Sequence, residues 1–502
     1  MNQHSSVFPN LYMDSVSLMH VSSRLSALPG VSRASVAMAT PANIERMRDS
    51  GLTVEVTAKP SDLLVAWVAD DAQAESILGS VRQWLKPVDV QGGAEAARAP
   101  SSLEMGLEAQ PDANLALISV PGQYAAAEAM KALRLGMNVM LFSDNVPESE
   151  EASIKTYASA HDLLVMGPDC GTAIVNGMPL GFANVVRRGN VGLIGASGTG
   201  LQEVSCQVHL QGAGVSHAIG TGGRDVKAEI GGISMLMALD LLAADAATKV
   251  IGIVSKPPAP AVMRAVIERA GGAGKPVVLC FLGAAAQVTP PNVTQTADLY
   301  ACASACVAHS LDRPPAPMLQ SALPATHFAP GQRYLRGLFS GGTFCTEAQV
   351  ALRALGIASY SNVPLEAGLA LAHPGRSQQH TMLDLGDDDF TVGRPHPMID
   401  PSQRLARLAM EAADPETAVI LLDIVLGYAG HLDPAGALAS AIRAARTAAG
   451  NAGRELAVVA FVCGTEEDPQ VRSVQERSLH DAGALLVASS THAARLAAQM
   501  VA

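Results

Sequence analysis

The feature that most constrains the fold of this sequence is an internal repeat. Residues 191–198 form a strand pattern that enters a small-residue turn, GASGTG, and a helix, and KVIGIVSKPP and KPVVLCFLG follow as two further strands. The same order starts again at residue 335, with RGLFSGGTF and then AVILLDIVLG and LAVVAFVCGT. The repeat therefore predicts two α/β units, each a parallel sheet with helices packed on it.

Alignment of the two copies matches their turns residue by residue. Residues 196–200, ASGTG, correspond to residues 340–344, SGGTF, so Thr199 corresponds to Thr343. Similar domains that share an ancestry often pack about a pseudo-twofold axis. We therefore expect the two units to superpose and their turns to face each other.

The composition favours large cores and excludes several classes of protein. Of the 502 residues, 49% are apolar and 16% are charged, a balance opposite to that of disordered chains. The net charge is −12 and no basic run occurs, so nucleic acid is not expected as a partner. No signal peptide or membrane-spanning stretch is visible, which predicts a cytoplasmic protein. The seven cysteines form no CxxC pair and are predicted to be reduced, buried thiols.

The remaining segments predict further domains. Residues 11–19 and 31–39 flank a short helical pattern, and residues 63–70 form a strand candidate, which indicates a small N-terminal α/β unit. Residues 91–100, QGGAEAARAP, lack large apolar side chains and are typical of a linker. Next, NLALISVP, NVMLFSDN and DLLVMGPDC alternate with helical patterns, which predicts a parallel, doubly wound sheet. A Pro-rich connector, residues 312–330, separates the two copies of the repeat.

The turn of each copy is a predicted anion site. Free backbone N–H groups and the helix dipole attract anions at a helix N-terminus, and glycine lets the backbone approach closely. One turn alone is more often an ordinary tight turn, but matched turns in both copies favour a phosphate held between them. Neither turn is a Walker A loop or a dinucleotide fingerprint. The predicted phosphate-binding residues are Ser197, Gly198, Thr199, Gly341, Gly342 and Thr343.

Single basic residues and histidines near predicted strand ends are candidate catalytic groups. Arg224 in GTGGRD and Arg394 in GRPHP can clamp a carboxylate or phosphate, with a surface ion pair as the alternative. Lys256 follows a strand, where open α/β sheets bind ligands, or it is a solvated lysine. His396 and His431 stand at strand-to-helix turns and can donate a proton or cap a helix. Of the histidines, we select His396 as the catalytic candidate.

Two acidic clusters leave the question of a metal open. Asp387, Asp388 and Asp389 are consecutive, and residues 466–468 read EED. Each cluster fits a Mg²⁺ ion or a solvated turn equally well, because consecutive acidic residues do not define a ligand geometry. We therefore assign no metal ligand from the sequence.

Longer motifs resemble a known family. The stretches SVPGQYAAAEAM, FSDNVP, VMGPDCGTAI, GLIGASGTG and IGTGGRD resemble the α subunit of succinyl-CoA synthetase, and the last part of the chain resembles the ligase domain of its β subunit. With SVSLMHVSSRL, MATPAN, DLGDDDFTVGRPHPMIDP and GTEEDPQ, the whole chain is identified as a member of the FdrA family, whose members are often labelled acyl-CoA synthetases.

This resemblance implies a multidomain α/β protein. The expected parts are a small N-terminal α/β domain at 1–90, a Rossmann-like CoA-binding-type domain at 112–190, and two flavodoxin-like, succinyl-CoA-synthetase-type ligase domains at 191–310 and 331–502. Three family features are missing. The HAG phosphohistidine motif is replaced by GAAAQVTPPN, and no histidine occurs between His217 and His309. The N-terminal Gly-rich CoA loop and the ATP-grasp domain are also absent, so we expect CoA to bind weakly or not at all and assign no cofactor.

The resemblance also implies an enzyme that acts with partner subunits. FdrA-family members are implicated in oxamate carbamoyltransferase activity during allantoin breakdown, in which oxalurate and phosphate give oxamate and carbamoyl phosphate without CoA. The predicted loops would hold the phosphate, and arginine the oxamate carboxylate. The alternatives are an ADP-forming acyl-CoA synthetase with a separate ATP-grasp chain and a non-enzymatic scaffold subunit. We expect a hetero-oligomer with operon-neighbour proteins, a homodimer, or both.

Overall fold

The chain forms two compact units. The first comprises residues 1–113 and 388–400, and the second comprises residues 114–387 and 401–502. The predicted linker at 91–100 and the end of the N-terminal domain at residue 90 lie outside the described residues, apart from Pro100. The computed structural model describes residues 2–9, 11, 13, 15–53, 58–85, 100–318, 322–391 and 394–502.

The N-terminal unit contains a three-stranded antiparallel sheet with β3 in the middle, in the order β1-β3-β2. The elements of this unit are β1 (Asn2–Phe8), α1 (Ser15–Ser26), β2 (Arg33–Met38), α2 (Pro41–Asp49), β3 (Leu63–Ala69), α3 (Asp71–Trp84) and α4 (Leu103–Ala109). Leu18, Val21 and Leu25 are buried at helical spacing. Residues 15–19 are therefore helical, whereas the sequence analysis placed them beside the helix.

The second unit begins with a small parallel sheet in the order β4-β5-β6. Its elements are β4 (Leu115–Ile118), α5 (Gly122–Arg134), β5 (Asn138–Leu141), α6 (Glu148–Ser159) and β6 (Val165–Met166). The predicted strands and helices are confirmed, but the doubly wound order is wrong for this sheet. Its strands follow chain order because the chain leaves it after β6 and enters the next sheet.

The first copy of the repeat forms most of a seven-stranded sheet, in the order β13-β12-β11-β9-β10-β7-β8. Its elements are β7 (Thr172–Val175), β8 (Met178–Gly181), β9 (Arg188–Gly195), α7 (Gly198–Leu210), β10 (Val215–Gly220), α8 (Ile233–Ala244), β11 (Val250–Ser255), α9 (Pro260–Gly271), β12 (Val277–Phe281), β13 (Val293–Gln295) and α10 (Leu299–Leu311). Strand β9 lies between β10 and β11, so the winding direction reverses at β9, where α/β sheets bind ligands.

The second copy forms a parallel six-stranded sheet, in the order β15-β16-β14-β17-β18-β19. Its elements are β14 (Tyr334–Phe339), α11 (Gly342–Ala354), β15 (Tyr360–Ser361), β16 (Thr381–Asp384), the short helix α12 (Asp388–Thr391) that belongs to the first unit, α13 (Ser402–Ala413), β17 (Thr417–Val425), α14 (Pro434–Asn451), β18 (Ala457–Cys463), α15 (Arg472–Asp481), β19 (Leu485–Val487) and α16 (Ser490–Gln499). Strand β14 lies between β16 and β17, as β9 lies between β10 and β11, so the repeat holds at the level of strand order.

Two further expectations from the sequence concern the cysteines and membrane-spanning segments. All seven cysteines are buried and free of disulfides, as predicted. Among the described residues, no helix combines the length and the apolar character that crossing a membrane requires.

Candidate functional site: the paired turns of the repeat

The turns of the two copies meet. The Ser197 hydroxyl and the Thr343 hydroxyl are hydrogen-bonded to each other. A Cβ atom added to Gly341 would lie 2.4 Å from the Thr199 Cγ2 atom, so the two turns are in close contact. The matched positions in the sequence predicted that these residues would face each other, and the structure brings them together.

Each turn opens a helix of 13 residues, and the two helix ends are not equivalent. Ser197 caps α7, because its Oγ atom accepts a hydrogen bond from the Gly200 backbone N–H at 3.2 Å. Helix α11 starts from Gly341, which has no side chain to do the same. Since the first N–H groups of any helix lack partners inside the helix, the first turn of α11 is the more open donor surface.

A lysine and a buried aspartate stand beside the first turn of α11. A Cβ atom on Gly342 would lie 2.4 Å from Asp384 Oδ2 and 4.0 Å from Lys256 Nζ. Lys256 directly follows β11 and is exposed, while Asp384 ends β16 and is buried. Burial raises the pKa of Asp384 to about 7, against the opposing effect of the Lys256 charge.

Lys256 was predicted from the sequence as a site residue, whereas Asp384 was not. The aspartates at 387–389 were considered as a possible metal site, but the strand residue before them was not. The available signal was position, because a polar residue at the carboxyl end of a buried parallel strand lies at the edge where ligands bind.

A buried ion pair fixes the start of the second turn. Ser340 donates from its backbone N–H and its hydroxyl to Asp423, with the hydroxyl contact at 2.7 Å. Asp423 is fully buried and paired with Arg404 of α13. The carboxylate therefore has its donors within the fold and acts as a support for the turn.

Arg224 is used in an ion pair. Its Nη2 atom donates to the Val146 carbonyl at 2.7 Å, and its Nε atom lies 3.0 Å from Glu151 Oε2. Its chain neighbour Gly223 approaches the first turn, where an added Cβ atom would lie 3.7 Å from the Ala196 carbonyl oxygen. The alternative from the sequence was a surface ion pair with a nearby aspartate, whereas the partner is the buried Glu151 of α6, and the catalytic role of Arg224 stays a prediction.

Arg394 and the two candidate histidines have different settings. Arg394 and His396 belong to the segment 388–400 of the N-terminal unit, and their catalytic roles stay predictions. Burial lowers the pKa of His396 to about 4, so this imidazole is neutral at pH 7, and its Nδ1 atom accepts from the Met398 backbone N–H. His431 Nδ1 accepts from the Asp433 N–H just before α14, which is a capping role.

Two carboxylates of the acidic cluster at 466–468 accept hydrogen bonds within the fold. Asp468 accepts hydrogen bonds from the backbone N–H groups of Val185 and Thr465. Glu466 accepts from the N–H and hydroxyl of Ser473 in the first turn of α15. Across the described part of the chain, no three His, Cys, Asp or Glu side chains are grouped in a way that could hold a metal ion.

Two buried glutamates join the two copies of the repeat. Glu203 of α7 accepts from the Ser490 N–H at the start of α16 in the other copy, at 3.1 Å. Glu347 of α11 accepts from the Leu299 N–H at the start of α10, at 3.0 Å, and from the Thr491 hydroxyl. Each copy thus places a carboxylate at a helix N-terminus of the other, which the helix dipole favours.

Neutralising one of these glutamates is expected to change how stability depends on pH. Burial raises the pKa of Glu347 from its usual 4.5 to about 7, so the ionisation of this carboxyl group costs no stability below pH 4.5 and progressively more as pH rises towards 7. We expect Glu347→Gln to gain stability relative to the wild type at pH 8 but not at pH 4.5. Urea unfolding at both pH values measures the difference, with the exposed Glu229→Gln as control. An equal difference at both pH values would contradict the prediction.

Three family profiles match this chain. The CoA-ligase profile matches residues 338–501, and the CoA binding domain profile matches residues 186–283. The second match falls on the sheet that the sequence analysis assigned to a ligase domain, so the boundaries given there stay predictions. The third profile, "AllF, heavy metal-associated domain", matches residues 1–100. The residues do not fit a metal there, because the first cysteine of the chain is Cys170 and the described residues contain no metal-ligand group.

The curated relatives differ in how much of the chain they share. YahF of Escherichia coli strain K12 is 44% identical over 510 residues, which cover 98% of this chain and 97% of YahF. The succinate–CoA ligase [ADP-forming] subunit alpha of Aquifex aeolicus is 32% identical over 123 residues, 23% of this chain and 39% of that subunit. The sulfoacetate-CoA ligase subunit SauD of Bilophila wadsworthia is 26% identical and covers 31% of this chain and 54% of SauD.

The solved structures are more distant. The dinucleotide-forming acetyl-coenzyme A synthetase 1 of Ca. Korarchaeum cryptofilum has 16% identity and a TM-score of 0.33, covering 77% of this chain and 82% of that one. This likeness is too low to carry an argument. The full-length match to YahF and the two domain matches show the family: the chain belongs to the family of E. coli YahF, with CoA-binding and CoA-ligase domains related to those of succinate–CoA ligases.

Proposed function

We propose that this chain is the phosphate-binding subunit of an FdrA-type carbamoyltransferase, which converts oxalurate and phosphate into oxamate and carbamoyl phosphate. The observation that carries the proposal is the contact between the two turns at the starts of α7 and α11. Two helix N-termini, two threonine hydroxyls and a neighbouring lysine form a donor-rich place for one phosphate.

The proposed chemistry relies on positioning and on electrostatics. The turn amides would hold the phosphate in line with the carbamoyl carbon, and backbone donors would stabilise the oxyanion that forms during attack. Lys256 would balance the phosphate charge. The catalytic roles of Arg394 and His396 stay predictions.

The loop after β12 supports a reaction without a phosphorylated histidine. This loop, residues 283–292, contains no ionisable side chain. Its Gly283 carbonyl accepts a hydrogen bond from Arg353 of α11 at 3.0 Å, so the loop contacts the second copy of the repeat. The match of residues 1–100 to the AllF profile further separates this chain from the ligase subunits, which share only part of its length.

The second candidate is an ADP-forming acyl-CoA ligase that needs a separate ATP-grasp chain. The matches to CoA-binding and CoA-ligase profiles favour it. The missing histidine and N-terminal CoA loop argue for the first candidate. We expect CoA to bind weakly, and a micromolar dissociation constant in calorimetry, about −8 kcal/mol, would favour the ligase.

An activity assay separates the two candidates. The chain is assayed alone and with its operon-neighbour proteins while oxalurate, phosphate and CoA are varied, and carbamoyl phosphate and ADP are both measured. Carbamoyl phosphate that forms without CoA supports the transferase. ADP that forms only with CoA and ATP supports the ligase, and no turnover with the full set of partners supports a scaffold subunit.

Loss of either threonine hydroxyl is expected to weaken phosphate use. Thr199→Ala and Thr343→Ala each remove a hydrogen bond to a charged group, which costs about 1.5–3 kcal/mol, or roughly 10- to 150-fold in kcat/KM for phosphate. Ser153→Ala and Ser205→Ala are matched controls, since their hydroxyls donate to carbonyls of their own helices. Equal losses in the threonine variants and the controls would argue against phosphate at these turns.

A further inference from the structure

Asp384 is a buried carboxylate with one unused oxygen. The residue is 8% exposed, and its Oδ1 atom accepts from the Gly386 N–H at 3.0 Å. Its backbone N–H and carbonyl both pair with Asn362. Within the part of the chain that the structure describes, no donor is bonded to Oδ2. This oxygen is not fully enclosed, so a ligand can reach it on an otherwise buried side chain.

The unused oxygen points at the start of α11. It lies 2.4 Å from the position that a Cβ atom would take on Gly342, and Lys256 Nζ lies 4.0 Å from the same position. The carboxyl group, the ammonium group and the open first turn of a 13-residue helix therefore share one small space. A ligand at this turn would contact Asp384 directly.

The fold does not require an acid at this position. In the first copy of the repeat, Gly220 of β10 pairs with Gly195 at the end of β9. In the second copy, Asp384 of β16 pairs with Phe339 at the end of β14. These pairs are equivalent, so the same sheet is built with glycine in one copy and with aspartate in the other.

The surrounding charges determine which form of Asp384 an anion would meet. Lys256 at the end of β11 favours the carboxylate, whereas burial, Asp387 and Asp423 disfavour it. The charge of Asp423 is in turn paired with Arg404, and the nearby Cys345 thiol is neutral because burial raises its pKa to about 12. With a pKa of about 7, Asp384 changes form near neutral pH, and an anion beside Oδ2 repels the ionised form.

We propose that Asp384 takes up a proton when a tetrahedral oxyanion binds at the start of α11, and that it relays this proton during carbamoyl transfer. The first part concerns binding alone, and the second rests on the proposed function. Protonated Asp384 donates its O–H from Oδ2 to the bound anion. This donation gives the unused oxygen its partner.

The relay balances in atoms and charge. An oxygen of monohydrogen phosphate attacks the ureido carbon of oxalurate, and the bond from that carbon to the inner nitrogen breaks. The electron pair of this bond goes to the nitrogen, which takes the proton of Asp384 and leaves as the amide of oxamate. The hydrogen phosphate proton passes to Asp384, so the carboxyl group ends protonated and the product is carbamoyl phosphate. A positioned proton donor of this kind contributes about 10²- to 10⁴-fold to a rate.

Calorimetry with sulfate tests the binding part on the purified chain. Sulfate has the shape of phosphate but does not titrate between pH 6 and pH 8, so any proton uptake comes from the protein. Titrations in two buffers of different ionisation enthalpy give the number of protons taken up. With the pKa of Asp384 near 7, we expect uptake of about 0.9 proton at pH 8 and about 0.1 at pH 6, with affinity about tenfold weaker at pH 8.

Two variants show whether Asp384 is the group that responds. Asp384→Asn keeps an oxygen for the Gly386 N–H and removes the titration, so we expect no proton uptake and an affinity at pH 8 about tenfold above that of the wild type. Asp387→Asn removes a neighbouring charge but leaves Asp384 in place, and we expect uptake to persist. Sulfate binding by the wild type without proton uptake at pH 8 would overturn the proposal and leave the paired turns as an anion site.

The remaining outcomes separate this proposal from the proposed function. No sulfate binding by the wild type or by Asp384→Asn would overturn the anion site and the role of Asp384 together. Proton-coupled sulfate binding in a protein without carbamoyl transfer would support the first part and overturn the relay. In the active complex, we expect Asp384→Asn to lower kcat about 10²-fold or more and to leave KM for phosphate nearly unchanged at pH 6, where Asp384 is already protonated. We also expect it to remove the fall in kcat/KM that ionisation of free Asp384 causes near pH 7.

Discussion

The variant Lys155→Met is expected to lose about 3–5 kcal/mol of unfolding free energy. Lys155 of α6 is 1% exposed, and its ammonium group donates to the Thr221 carbonyl at 3.0 Å and to Asp225 Oδ1 at 2.8 Å. It also lies 2.9 Å from Glu151 Oε1. Methionine fills a similar volume but leaves two buried carboxylates without this cation, which is the costly way to break a buried ion pair.

An exposed lysine in an ion pair is the control that shows how much of the loss at Lys155 comes from burial. Lys227 forms an ion pair of 2.6 Å with Glu148, and both side chains are exposed. Lys227→Met is therefore expected to cost about 1 kcal/mol or less, because solvent screens an exposed pair. Urea unfolding of the two variants measures both losses. Losses of similar size would mean that the buried cluster contributes no more than a surface pair.

The second large effect is expected at Gly342. A methyl group there would lie 2.4 Å from Asp384 Oδ2, in the space proposed for phosphate. We expect Gly342→Ala to lower phosphate-dependent turnover by about 10²- to 10³-fold, because the methyl group would keep the anion from the backbone donors and so mimic the loss of an oxyanion donor. The matching change at Gly198 meets only the Thr172 hydroxyl, at 3.1 Å, so its effect is expected to be smaller.

A stability measurement makes the Gly342 result interpretable. Gly450→Ala is the control, because an added Cβ atom within α14 has no neighbour within 4 Å and alanine favours the helix. Thermal unfolding of Gly342→Ala measures the cost to stability, because the Asp384 carboxyl group must shift to admit the methyl group. Full turnover in both Gly198→Ala and Gly342→Ala would show that the turns serve only the fold.

The repeat allowed much of the fold to be predicted. Strand patterns and small-residue turns depend on local sequence, so β9, β11, β12, β14, β17 and β18 and the helices that follow the turns lie where the patterns placed them. The first helix of the chain was placed less accurately. Leu18, Val21 and Leu25 are buried at helical spacing, but polar residues lie between them, and residues 11–19 were assigned to the segment before the helix.

The site was only partly predictable, because side-chain partners are set by tertiary contacts. The role of Arg224 depends on Glu151, which is 73 positions earlier in the sequence and buried on α6. Asp384 lies beside Gly342 because β16 and β14 are neighbours in the sheet, and the sequence alone does not give the pairing register. Glu203 and Glu347 were missed for the same reason, since each is bound by a helix of the other copy.

The exchange of carboxylates between the two copies suggests how the chain arose. Glu203 is bound by α16 and Glu347 by α10, so each half completes the other, as two identical subunits do across a symmetric dimer interface. Duplication and fusion of a gene for a self-pairing ancestor would produce this arrangement, with residues 312–330 as the joint. Two separate polypeptides made by cutting the gene at this joint would still carry both halves of each contact, so we expect them to reassemble when they are produced together.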